Sequence, residues 1–214
     1  MRTGWVAFIL FALAGIGHAA DVRLVDTVVA QIGTRPVMLS DVALARALGV
    51  LGLEPSAGPI TDADLARYLD AQLAVREAAQ LAIEVPAAAV DRVWARAGGA
   101  SLETRLAAAG IDPTWARRLF EADLRVERFV DLRFRSFAFV TDFDVDEALG
   151  AGSHDEATRG QTRARLRDEM IERALAAWKE EARQRIPIRP LPGVTGPWPA
   201  PFTLDMPPFR RSRI

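Results

Sequence analysis

"VDTVVAQIGTRPVMLSDV", residues 25–42, is the stretch on which the fold turns. Val25 to Ile32 is a β-branched run that ends in Gly33-Thr34-Arg35. A second short apolar run, Val37 to Leu39, follows it. Two such runs around a short Gly-containing connection predict a β-hairpin. Pro36 has no N–H to donate, so it belongs at a strand start or on an edge. Ser40 then reads as an N-cap, with Asp41 in the first turn of a helix, where the dipole favours a carboxylate.

Downstream of the hairpin the chain is written in helical periodicity. Thr61 caps a helix that runs to about Ala82, with Leu65, Leu69 and Leu73 on one face. Val85-Pro86 opens another, which carries Val90, Val93 and Trp94 and stops at Gly98-Gly99. Ser101 caps a short helix closed by Gly110. Asp112-Pro113 opens a long one, in which Trp115, Leu119, Ala122, Val126, Phe129 and Val130 step at three and four. Its arginines, Arg117, Arg118, Arg125 and Arg128, interleave with acids and predict a solvated face. "FAFV", 137–140, is an extended link, and Thr141 caps a brief helix through Leu149. Gln161 to about Arg185 is the last helix, and "IPIRPL" after it is a candidate strand.

The two ends differ from this body. Residues 1–20 have a basic start at Arg2, an apolar run from Trp5 to Ile16, and small residues at Gly17, Ala19 and Ala20. A bilayer needs roughly 20 apolar residues. The run is shorter, and the pattern is that of a secretory signal, cleaved after Ala19 or Ala20. The expected organisation is therefore a signal peptide over 1–20, one helical domain over 21–191, and a disordered Pro-rich tail over 192–214.

Composition narrows the function. Net charge is −1, so nothing favours nucleic acid as a partner. There is no cysteine, which excludes disulfides and thiol chemistry. Beyond the signal, His154 is the one histidine, which leaves little equipment for zinc or a Ser-His-Asp triad. Asp142, Asp144 and Asp146 begin like a calcium loop, but Glu147 stands where the turn glycine belongs and Ser153 where the bidentate Glu belongs. The expectation is no catalytic residue, no metal and no cofactor.

Taken together, these motifs resemble SurA-type periplasmic chaperones. The resemblance rests on Val25, Asp26, Val37, Leu39, Ser40 and Asp41. Leu73, Glu77, Ala78, Leu81, Ile83, Val85, Val90 and Asp91 of "LAVREAAQLAIEVPAAAVDRV" add to it. So do "LRVERFVDLRF", "VTDFDVDEAL" and the final helix into "IPIRPL". Ala82 departs from the pattern, because many relatives carry glycine there. In that family, parvulin-type prolyl isomerase domains are inserted between the Val-Thr-Asp helix and the C-terminal helix. Here that place holds only "GAGSHDEATRG", residues 150–160.

The resemblance implies a mainly α fold, with a short N-terminal hairpin and a long C-terminal helix packing back on it. It implies a non-catalytic chaperone of the periplasm that binds extended, aromatic-rich segments of unfolded envelope or outer-membrane proteins. Such a protein has no stable membrane insertion once its signal is removed. Trp94, Leu106, Trp115 and Leu119 are the candidate peptide-binding residues. A dedicated interaction subunit of an envelope complex and a prolyl isomerase are the alternative readings. The expected export has a direct check: the mass of the chain from its native host should correspond to a start at Ala20 or Asp21. An intact Met1 would contradict it.

Overall fold

The structure, a computed structural model, describes residues 26–56, 58–150, 152, 154–202 and 204. The expected signal peptide over 1–20 and the end of the tail, 205–214, lie outside the described residues. Helices dominate, with one small antiparallel sheet.

The hairpin forms as the sequence predicts. Strand β1 (Val28–Ile32) pairs with β2 (Arg35–Met38) across Gly33-Thr34, and Gly33 takes the positive φ of 60° that the tight turn requires. Pro36 lies on an outer strand of the sheet. The helix that follows, α1 (Leu39–Leu48), starts two residues earlier than expected, and Ser40 is not its cap. Asp26 takes that role from the other end of the hairpin. Its Oδ1 accepts from the N–H groups of Thr27 and Ser40 at 2.7 and 3.2 Å, and its Oδ2 accepts from the Ser40 hydroxyl. The helix start is thus fastened to the strand start by a carboxylate 14 residues away. Sequence rules that look only at neighbouring positions miss such a cap.

Helix α2 (Asp62–Gln80) begins with a reciprocal capping box between Thr61 and Asp64. Burial pushes the Asp64 carboxyl upward. The Thr61 N–H and hydroxyl and the Arg46 guanidinium outweigh that and hold it below the usual carboxylate range. Arg46 itself is buried on α1. It donates to the Gly58 and Pro59 carbonyls at 2.5 and 2.7 Å and pairs with Asp64 at 3.3 Å, tying the incoming loop to both helices.

Helices α3 (Ala87–Arg96) and α4 (Ala100–Ala108) form a small layer against α5 (Pro113–Arg133). Gly99, not Ser101, stands at the N-cap of α4. Asp112 caps α5 as predicted, accepting from the Thr114 N–H at 2.8 Å. The core face of α5 carries Ala116, Leu119, Phe120 and, unexpectedly, Asp123, whose Oδ1 accepts from the Leu51 N–H at 2.7 Å. Arg125 and Arg128, predicted as a solvated face, donate to the Ile83 and Glu84 carbonyls at 3.2 and 2.6 Å and hold the α2–α3 turn against α5.

After a 3-10 turn at Arg135–Phe137 and helix α6 (Asp142–Leu149), the chain returns along α7 (Glu156–Arg185). This helix starts five residues before the expected Gln161 and passes straight through Gly160. The reason is local: Asp155 Oδ1 caps it through the Thr158 N–H at 2.7 Å, while Arg159 and Arg163 grip Asp146 and Asp142 of α6. The connector is therefore much shorter than 150–160. His154 is half-buried within it, its ring against Gly152.

At 30 residues α7 is about 45 Å long, enough to run from α6 back to the sheet. Its Ile171, Trp178 and Ala182 enter the core. The Trp178 ring lies 4.9 Å from that of Phe129 and 6.1 Å from that of Phe134. Strand β3 (Ile188–Pro190) then pairs with β1, giving the order β2-β1-β3. The tail does not begin in disorder. Trp198 is buried and exchanges backbone hydrogen bonds of 2.8 and 2.9 Å with Ile60, while the Gly196 N–H donates to Asp62 at 3.0 Å.

Removing the Trp178 ring should therefore cost the whole fold. Trp178→Ala is expected to lower unfolding free energy by about 3–5 kcal/mol, while Trp178→Phe, which keeps an aromatic against Phe129 and Phe134, should lose much less. Denaturant unfolding followed by far-UV circular dichroism reads both. Equal, small effects of the two would contradict the assignment.

Candidate functional site

The surface feature that the fold does not use is a set of phenylalanines running from the link after α5 into the first turn of α6. Phe137, Phe139 and Phe143 are 71, 74 and 73% exposed. Leu81 and Leu132 are the other large apolar side chains that stand out from the described surface. Singly exposed apolar residues are ordinary; five large ones, three of them within seven residues, are not.

Their exposure comes from backbone geometry. Phe134 ends α5 with its ring turned inward against Phe129, 5.7 Å away and edge-on. The 3-10 turn and the extended residues after it then alternate: Phe137 outward, Ala138 buried, Phe139 outward. On α6, Val145 faces the core and Phe143 does not.

The backbone carrying these rings is fixed on both sides. The Ser136 hydroxyl donates to the Asp131 carbonyl at 2.9 Å, and Arg167 of α7 donates to the Arg135 carbonyl at 3.0 Å. Thr141 and Asp144 form a reciprocal capping box. Hydrogen bonds from the Thr141 hydroxyl and N–H hold the Asp144 carboxyl below its ordinary range. The three acids that open like a calcium loop are thus the first turns of α6. Among the described residues no group of three or more His, Asp or Glu is placed to hold a metal ion.

Leu81 and Leu132 share a surface groove of about 560 Å³ with Ala82, Ile83, Glu84, Arg128 and Asp131. Its wall is the turn after α2, where Ala82 adopts a φ of +51°. That left-handed conformation explains why glycine suits this position, and the alanine here carries strain.

The candidate peptide-binding residues lie elsewhere. Trp94, Leu106 and Leu119 are buried: the Trp94 ring meets Phe120 edge-on at 6.1 Å, and the Arg117 guanidinium covers its face at 4.5 Å. They are part of the buried core. Trp115 is half-buried and hydrogen-bonds Asp41, whose carboxyl burial pushes upward. Helical spacing selects residues that face inward, so it passed over the phenylalanines. Their own signal was three aromatic residues clustered in the link after α5 and the first turn of α6.

The chain matches no family model and no curated protein sequence. Among the described residues no helix is long and apolar enough to cross a membrane.

The strain at Ala82 is directly measurable. A left-handed conformation costs a non-glycine residue about 1–2 kcal/mol, so Ala82→Gly should raise stability by about 1 kcal/mol, after the glycine's greater unfolded-state entropy is subtracted. Ala82→Val should lower it. A destabilised glycine variant in thermal or denaturant melts would contradict the reading of this turn.

Proposed function

We propose that the protein is a non-catalytic chaperone that holds extended, apolar segments of unfolded proteins, acting after export to the periplasm. The observation that carries this reading is the display of Phe137, Phe139 and Phe143 on a backbone pinned by α5, α6 and α7. Burying each ring against a partner is worth about 1.5–3 kcal/mol, and aromatic–aromatic contacts add to that when the client is itself aromatic. A pre-fixed backbone lowers the ordering cost of binding. Leu81, Leu132 and their groove extend the apolar surface available to a client.

The order of elements supports a SurA-type module. The N-terminal hairpin, the helices after it and a long helix returning to the hairpin stand in the sequence that the resemblance implies. On this reading the isomerase insert is replaced by the short connector between α6 and α7, and the holding function is what the module keeps. The clients are then unfolded envelope or outer-membrane proteins, and the binding surface is the phenylalanine display in place of Trp94, Leu106, Trp115 and Leu119.

The triple variant Phe137→Ser, Phe139→Ser, Phe143→Ser tests this. Because the rings are mostly exposed and lie outside the core, its stability should match the parent within about 0.5 kcal/mol. Light scattering of a thermally or chemically unfolded client should show that the full-length parent suppresses aggregation and the variant does not. Undiminished protection by the variant would contradict the site. Stable capture of one folded partner without protection of unfolded proteins would contradict the function.

A further inference from the structure

A second groove, of about 380 Å³, lies between the hairpin tip, α2 and the middle of α5, away from the phenylalanine display. Its floor is apolar, formed by Ile32, Val75 and Ala79, and its rim carries Arg35, Arg76 and Arg125. No carboxylate lines it. Arg125 is fixed in place: its Nε–H donates to the Ile83 carbonyl at 3.2 Å, and Glu121 beside it on α5 neutralises its charge. Arg35 and Arg76 make no salt bridge among the described residues; the Asp41 carboxylate lies near enough to Arg35 to feel its charge, and Arg76 stands at the mouth with no ion-pair partner. Arg76 reaches the mouth by lying over the hairpin turn, where a Cβ on Gly33 would meet its Nη1 at 3.1 Å. Glycine there serves both the turn and the passage of the arginine.

We propose that this groove binds a carboxylate carried on an apolar chain. The chemistry is divided between its parts. Guanidinium forks accept a carboxylate through paired N–H donors, a geometry for which arginine is better suited than lysine. Ile32, Val75 and Ala79 take the apolar body out of water. The volume falls within the range of about 300–1,000 Å³ usual for small-ligand sites. Two sources supply this chemistry: the free C-terminus of an extended apolar peptide, and a free fatty acid. The site is independent of the phenylalanine display, and its occupant is set by charge as well as by apolar surface.

Isothermal titration calorimetry on the full chain tests the proposal with four probes: octanoate, octanol, a short apolar peptide with a free C-terminus, and the same peptide amidated. Binding of octanoate or of the free-acid peptide is expected, weakening as salt screens the arginines. The uncharged counterpart should bind at least about tenfold more weakly. Whichever acid binds identifies the source. Arg35→Gln and Arg76→Gln, both at exposed positions, should each weaken binding about tenfold with unchanged melting. Arg76→Lys, which keeps the charge but loses the fork, should fall between. Absence of binding by both acids, equal binding of acid and neutral probes, or undiminished binding by the double glutamine variant would overturn the proposal.

Discussion

The return of α7 and β3 onto α5 and the hairpin is the constraint on which the rest of the structure depends. Trp178 of α7 seats against Phe129 and Phe134, where α5 would otherwise end in open aromatic surface. A few residues later β3 lies along β1 and completes the sheet, with the Gly33 N–H donating to the Pro187 carbonyl at 2.9 Å. Without that return, β1 and β2 are an isolated hairpin, which is marginal in water by itself. Charged groups reinforce the seam. Glu77, nearly buried on α2, lies 3.4 Å from Arg133 of α5 and 3.6 Å from Arg185 of α7, and Asp70 of α2 pairs with Arg183 at 2.6 Å. Glu77 thereby joins three helices at one point.

This closure explains how a chain without disulfides presents apolar side chains without unravelling. The core takes its large residues from both ends of the chain, so the segment between α5 and α6 is held by neighbours already committed to packing. Phe137, Phe139 and Phe143 contribute nothing to that core. Rings that stability does not require, on a backbone that cannot retreat, are available to a partner at little ordering cost. The arginine-rimmed groove follows from the same architecture, because it exists only where the hairpin tip meets α2 and α5.

Much of the fold was legible because its signals are local. Thr61, Asp112 and Thr141 are caps whose partners sit two or three residues away, and the hairpin turn is written in Gly33-Thr34. What sequence reasoning missed depends on distant partners. Asp26 caps α1 from beyond the hairpin. Asp123 lies on the core face of α5 because Leu51, which is 72 residues away, supplies its donor. The last helix was expected to start at Gln161, yet Asp155 and the ion pairs to α6 start α7 earlier and carry it through Gly160. The exposed phenylalanines escaped sequence reasoning for a related reason. Periodicity finds the faces that helices bury, and Trp94, Leu106 and Leu119 are such faces. Exposure of a non-periodic segment is decided only when the elements on either side of it are fixed.

Native-state hydrogen exchange tests the closure most directly. If the two ends form one core, the amides of Val29 and Ala30 in β1, Leu119 and Phe120 in α5, and Ile171 to Ala182 in α7 should exchange through a single opening. They should then share one free energy and one denaturant dependence, equal to those of global unfolding. Exchange of α7 through a separate, lower-energy opening that leaves β1 and α5 protected would contradict the account.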